Sequence, residues 1–99
     1  MATSSHLHAV LFTKEVCGPC IKTKAFIDDL FEASPGLAGE LSILKKENHS
    51  ALVEAYGLNL YPTLLVVGPN GTELNRFVGG RLIRDVIEAE LTTIKEENS

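Results

Sequence analysis

Apolar side chains along this chain fall into blocks whose spacing switches between strand and helix periods. Residues 6–12 are almost continuously apolar, which predicts a strand covered on both faces and therefore central in a sheet. From residue 18 to residue 33 the spacing changes to steps of three and four. Cys20, Thr23, Ile27, Leu30 and Phe31 share one face, and Lys22, Lys24, Asp28, Asp29 and Glu32 take the other, so this stretch predicts a helix. Ala33-Ser34-Pro35-Gly36 ends it. Leu41 to Lys45 reads as a short strand, and Ser50 to Tyr56 as a short helix that Gly57 is placed to stop. Thr63 to Val67 is a solidly apolar strand. Gly68-Pro69-Asn70-Gly71 then predicts a hairpin turn into a strand from Glu73 to Val78. Gly79-Gly80 breaks the sheet. The last helix is expected from Leu82 to Lys95, with Ile83, Val86, Ile87, Leu91 and Ile94 on its buried face.

This order, βαβαββα, predicts a single α/β domain. The first strand, its crossover helix and the second strand should form a right-handed parallel unit. The hairpin adds an antiparallel pair, giving a four-stranded mixed sheet with helices on both faces. The length of 99 residues suits one modest core, and 44% apolar with 22% charged residues describes an ordinary soluble globular protein. Residues 1–5 read as a frayed terminus. No apolar run reaches the roughly 18 residues of a transmembrane helix. Met1-Ala2-Thr3-Ser4-Ser5 lacks the basic and apolar regions of a signal peptide, so a cytoplasmic location is expected. A net charge of −4 and the lack of a basic stripe argue against nucleic-acid binding. Lys45-Lys46 and Arg81 with Arg84 are too sparse for that role and read as solvated surface. Nothing in the pattern demands an oligomer, so a monomer is expected.

The candidate chemistry lies between the first strand and the first helix. Cys17-Gly18-Pro19-Cys20 contains the only cysteines of the chain. A strand running into such a motif and a helix running out of it mark a dithiol/disulfide centre. Cys17 is expected at or near the helix N-cap with Cys20 one turn later on the same side, so the sulfurs can reach bonding distance. Free amide hydrogens and the positive end of the helix dipole favour a thiolate at Cys17. Gly18 lets a substrate backbone come close, and Pro19 tolerates the first helical turn, where a missing N–H costs little. A zinc site would need two further ligands. The chain offers His6, His8 and His49, and the His6/His8 spacing fits poorly. An inert structural disulfide would close too short a loop to restrict the unfolded chain much. In a reducing compartment a lone CxxC is more often catalytic.

With CGPC at the end of the first strand, the chain resembles the thioredoxin superfamily over nearly its whole length from about residue 7. The stretch Tyr56-Gly57-Leu58-Asn59-Leu60-Tyr61-Pro62-Thr63-Leu64-Leu65-Val66 is similar to the run in which thioredoxins carry a cis-proline followed by Thr, and Gly79-Gly80 stands where they carry glycine beside the active site. The resemblance implies a protein-disulfide reductase. Cys17 is then the nucleophile and Cys20 the resolving thiol, in an active-site loop that includes Val16, Gly18 and Pro19. Tyr61, Pro62, Thr63, Gly79 and Gly80 form the substrate surface. It further implies oxidised protein substrates, thioredoxin reductase or glutathione as electron donor, no tightly held cofactor and no metal. The expected potential is about −270 mV, with the Cys17 pKa lowered toward ~7.

Some positions depart from the family pattern. Full-length thioredoxins carry a further strand and helix ahead of the first strand found here. They usually place Trp before the first Cys, where this chain has Val16, and a buried Asp behind the second sulfur, where it has Leu11. Proton transfer at Cys20 is therefore expected to use water, Lys45, Lys46 or Glu15. Glutaredoxins share the short length, but they carry a bulky aromatic inside the CxxC, T-V-P before the proline and an acidic pair after the double glycine. Here those positions hold Gly18-Pro19, Leu60-Tyr61 and Arg81-Leu82. Lys14 or Arg81 is left as the candidate to hold a glutathione carboxylate. A cluster-holding chain and a non-catalytic binding subunit are the remaining alternatives; Pro62 and the stiff loop weigh against the cluster.

Overall fold

The computed structural model describes residues 6–99. Residues 1–5, read from sequence as a frayed end, lie outside the described residues. The strands are β1 (His8–Thr13), β2 (Leu41–Lys45), β3 (Thr63–Val67) and β4 (Glu73–Val78); the helices are α1 (Gly18–Ala33), α2 (Ser50–Tyr56) and α3 (Gly80–Glu97). The sheet order is β2-β1-β3-β4. β1 runs parallel to β2, with Leu11 opposite Ile43, and antiparallel to β3, with Leu11 opposite Leu64. β3 and β4 form the hairpin, with an irregularity between Val66 and Val67. The two most apolar strands thus occupy the middle of the sheet, where both faces are covered. Every residue of β3 is buried, whereas every residue of β4, at an edge, is half-buried or exposed.

Helices cover both faces, as the order predicts. α1 and α3 pack on one side, where Ala9, Leu11, Leu64 and Val66 of the sheet meet Ile27 and Leu30 of α1 and Ile83, Ile87, Leu91 and Ile94 of α3. α2 covers the other side, over Phe12, Leu65 and Val67, with Leu58, Val53 and Tyr56. Each aliphatic side chain buried in this way contributes about 1.5–3 kcal/mol relative to exposure. The alternation within each strand decides the division: Leu11 and Phe12 are adjacent in sequence and face opposite layers.

Several details differ from the sequence expectation. β1 begins at His8 rather than residue 6, because ladder pairing starts at His8 opposite Val67. Leu7 is tied instead by Asn98, whose side chain accepts from the Leu7 amide at 2.8 Å and donates to its carbonyl at 2.9 Å. α3 starts at Gly80, two residues earlier than expected, because the Gly79 carbonyl already accepts from the Ile83 amide at 3.0 Å. Two short 3-10 helices, Pro35–Glu40 and Lys46–Asn48, fill stretches read only as connections. The first of them buries Leu37 in the α1/α3 core. Phe31 and Val86, expected on buried helix faces, are half-buried at the margins. Gly57 stops α2 in the left-handed conformation (φ 64°), as its position suggests.

Candidate active site

β1 delivers the chain to Thr13, and Lys14 to Val16 turn it into α1. Cys17 is the N-cap of α1, with extended backbone (φ −156°, ψ 96°), and its Sγ accepts a hydrogen bond from the Cys20 amide at 3.1 Å. Sulfur here replaces the oxygen of a usual capping side chain and satisfies one of the free N–H groups of the first turn. Pro19 lies in that same turn, where its missing N–H breaks no helical bond. Cys17 and Cys20 are joined by a disulfide, with sulfurs 2.03 Å and Cα atoms 5.2 Å apart. Cys17 is 6% exposed and Cys20 2%, so an incoming group reaches Cys17 first. Val16, 88% exposed, forms the lip in front of it.

Two other segments close around the loop. The Tyr61–Pro62 peptide bond is cis, and the Tyr61 carbonyl oxygen lies 3.9 Å from Cys17 Sγ. The Gly79 amide donates to the Pro62 carbonyl at 3.0 Å, which ties the double glycine to the proline turn. Gly79 has φ 100°, a conformation that side-chain-bearing residues rarely adopt. Gly80 is needed for a different reason. A Cβ there would stand 2.7 Å from Thr23 Oγ1 and 3.3 Å from the Pro19 carbonyl oxygen. α3 therefore starts in direct contact with the first turn of α1, and Thr23, fully buried, donates from Oγ1 to that same Pro19 carbonyl at 2.8 Å.

The residues expected to form the substrate surface thus divide by role. Pro62 and Thr63 are buried, and the Thr63 hydroxyl donates back to the Leu60 carbonyl at 2.6 Å, so both shape the turn from within. Gly80 is buried as a packing position. The Tyr61 ring leans on the α2-side cluster with Lys46 Nζ 5.6 Å from its centre. Burial, and secondly the Glu47 carboxylate, hold its phenol above the ordinary value. What Tyr61 presents toward Cys17 is its backbone.

Leu11 is fully buried in the apolar α1/α3 cluster, so no carboxylate occupies that position. The alternatives for proton transfer lie at the surface. Glu15 pairs with Lys45 at 3.1 Å, and its amide donates to Glu47 at 3.2 Å. That amide is the main cause holding the Glu47 carboxyl below the usual range; Lys46 and Lys45 add to it. His8 shares a 2.8 Å hydrogen bond with Ser42 Oγ and takes no part in the loop. Among the described residues no three His, Cys, Asp or Glu side chains gather as a metal-ligand group, and no helix is long and apolar enough to cross a membrane.

The model of the family described as Thioredoxin matches residues 1–93. The chain belongs to the thioredoxin family. Solved thioredoxins share its fold. The reduced thioredoxin pre-protein of Schistosoma mansoni superposes with a TM-score of 0.71 at 19% identity, covering 92% of this chain and 81% of that one. The Malassezia sympodialis thioredoxin gives 0.69 at 17% identity, with 91% and 76% covered. The Fasciola hepatica thioredoxin gives 0.67 at 22% identity, with 91% and 82% covered. No curated protein sequence matches the chain. Family and bonded cysteine pair together make this thioredoxin-family chain a thiol–disulfide oxidoreductase.

The spacing puts Thr23 on the apolar face of α1 but does not reveal it as the brace between Pro19 and Gly80. The available signal was a lone hydroxyl on that face, one turn after the proline. The sequence pattern offers Arg81 as a candidate carboxylate binder but gives Arg84 only as solvated surface; both line one concavity with Gly18, Pro19 and Lys22.

Proposed function

We propose that this protein reduces the disulfides of other proteins by dithiol exchange, with Cys17 as nucleophile and Cys20 as resolving thiol. The observation that carries this reading is the position of Cys17 Sγ. It sits at a helix N-terminus, accepts the Cys20 N–H at 3.1 Å, and lies 3.9 Å from the backbone carbonyl of Tyr61. The amide and the helix dipole favour the thiolate in the reduced protein. The Tyr61 backbone supplies an edge against which an extended substrate segment can pair in strand fashion.

In the first step the Cys17 thiolate attacks one substrate sulfur. A Cys17–substrate disulfide forms, the substrate S–S bond breaks, and the second substrate sulfur leaves as a thiolate that takes up a proton. In the second step the Cys20 thiolate attacks Cys17 Sγ, releases the first substrate sulfur and leaves the Cys17–Cys20 disulfide. Two electrons and two protons pass from the dithiol to the substrate. With Leu11 in the buried position, the Cys20 proton goes to water or to the departing substrate thiolate. Val16, Gly18, Pro19 and Gly79 surround the sulfurs as the contact surface, in a reducing cytoplasm. The dithiol is restored by thioredoxin reductase.

The test is insulin disulfide reduction run in parallel with two regenerating systems. One contains NADPH and thioredoxin reductase; the other contains NADPH, glutathione and glutathione reductase. Turnover with thioredoxin reductase alone is expected. Turnover with glutathione alone would transfer the protein to glutathione-dependent chemistry and direct attention to Lys14, Tyr61 and Arg81.

A further inference from the structure

On the α1/α3 side of the redox loop, away from the Tyr61 ring, lies a concavity of about 480 Å³. Backbone forms much of its wall, from Gly18 and Pro19 of the redox loop and from Gly79 and Gly80 opposite. The only long side chains lining it are Lys22, Arg81 and Arg84, all cationic, and no acidic or large apolar side chain joins them. Among the described residues none of these three cations has an ion-pair partner; the ion pairs formed are Lys45–Glu15 and Arg76–Glu73. Arg84 is half-buried, and its Nη1 lies 3.1 Å from where a Gly80 Cβ would stand, so the guanidinium is folded over the start of α3. In a chain of net charge −4, this is a local excess of positive charge.

The opposite flank is different. There Glu15 pairs with Lys45, Glu47 accepts from the Glu15 amide, and Lys46 stands over Tyr61. That side carries two carboxylates and two ammonium groups, one of each joined as an ion pair, whereas the concavity is lined by cations alone. A trough walled by glycine backbone admits an extended peptide. Three cations without ion-pair partners along it attract carboxylates to the Gly18–Pro19 wall of the redox loop.

We propose that this trough selects substrates: the proteins reduced at Cys17 carry Asp or Glu beside the attacked cysteine, and Lys22, Arg81 and Arg84 bind those carboxylates. The proposal rests on the protein-disulfide reductase reading above and names the substrate class for that site.

The test uses peptides of equal length, each closed by its own disulfide, with the residues flanking the cysteines acidic, neutral (Asn/Gln) or lysine. kcat/KM is measured for the wild-type protein and for Arg81→Gln/Arg84→Gln, at low salt and at about 0.5 M NaCl, where charges are screened within a few ångströms. One exposed ion pair is worth up to about fivefold, so cations acting together should favour the acidic peptide over the neutral one by about tenfold at low salt. The lysine peptide should fall below the neutral one. The acidic-to-neutral ratio should drop to about twofold in the double variant and in high salt. A loss of structural integrity alone would lower all three peptides together and leave the ratio in place. Equal kcat/KM for acidic and neutral peptides, both reduced, would overturn the proposal and leave the reductase reading standing. A preference that survives Arg81→Gln/Arg84→Gln would also overturn it. Failure to reduce any peptide would overturn the reductase reading itself, and the proposal with it.

Discussion

Gly80→Ala is the substitution whose cost the structure defines most closely. The new methyl would lie 2.7 Å from Thr23 Oγ1, far inside contact distance, and 3.3 Å from the Pro19 carbonyl oxygen. Thr23 is fully buried and β-branched, and its hydroxyl is held by Pro19 at 2.8 Å, so it has no free rotamer to retreat into. Either α3 lifts off the first turn of α1 or the Thr23 hydrogen bond breaks. Overpacking costs about 1–3 kcal/mol and a lost buried hydrogen bond about 1 kcal/mol. The better helix propensity of Ala returns at most about 1 kcal/mol. The net expectation is about 1–3 kcal/mol of destabilisation, which at about 4–8 °C per kcal/mol lowers Tm by about 4–24 °C. Urea denaturation of the oxidised protein, followed by far-UV circular dichroism, measures it. Thr23→Ala in the same background removes the atom most in the way, so the double variant should be at least about 1 kcal/mol more stable than the sum of the single losses. A Gly80→Ala protein within about 0.5 kcal/mol of wild type, or strict additivity with Thr23→Ala, would refute the close-contact account.

Three further outcomes are expected. Leu11→Asp places a carboxyl in an apolar cluster and should cost several kcal/mol, about 3 or more, with the loss growing as pH rises above the unfolded Asp value because burial favours the neutral form. At a pH where that carboxyl ionises it should accept the Cys20 proton and speed release of substrate from the mixed disulfide by about tenfold or more in stopped-flow traces; an unchanged rate would mean that proton transfer does not limit the step. Glu73 is held below its ordinary 4.5, chiefly by its hydrogen bond from Arg76. In the acid limb the unfolded chain therefore binds the extra proton, and the stabilisation present above about pH 4.5 is lost as pH falls through the lower folded value. Glu73→Gln should flatten that part of the urea midpoint-versus-pH curve by at most about 1 kcal/mol, since the pair is partly exposed. Gly79→Ala forces a side chain into φ 100° and should cost about 1–3 kcal/mol by the same denaturation assay.

The regular elements were legible because their burial follows single periods. α1 agrees with its expected bounds residue for residue, as do β2, α2, β3 and β4. A helix with one apolar face and strands covered on both sides leave plain patterns, and Gly57 and the Gly68–Gly71 turn punctuate them. The central position of β1 followed from its nearly continuous apolar run. The 3-10 helix at Pro35–Glu40 was not legible, because one buried residue, Leu37, sets no period. The start of α3 was missed for a similar reason. Glycine is a poor helix former, and only contact with Thr23 explains why Gly80 begins that helix. At the site, the positions of Cys17 and Cys20 follow from local rules of helix capping. The inward-facing hydroxyl of Thr63 does not, because its partner, the Leu60 carbonyl, is fixed by turn geometry; Thr23 makes an ordinary i→i−4 bond to the Pro19 carbonyl within α1, and it is its contact with Gly80 that only the tertiary packing reveals. Lys22, Arg81 and Arg84 come from two helices distant in sequence, and only the packing of α3 on α1 brings them together.

The central claim is that electrons leave the dithiol for a protein disulfide through Cys17. The most direct measurement mixes prereduced Cys20→Ser protein with oxidised insulin, quenches by alkylation and maps the products by mass spectrometry, with the wild-type protein alongside. The account predicts a covalent adduct joined at Cys17 that reducing agent releases. Wild-type protein should instead give two free insulin thiols for every Cys17–Cys20 bond that closes. Full turnover by Cys20→Ser, or intact insulin disulfides with no adduct at Cys17, would contradict it.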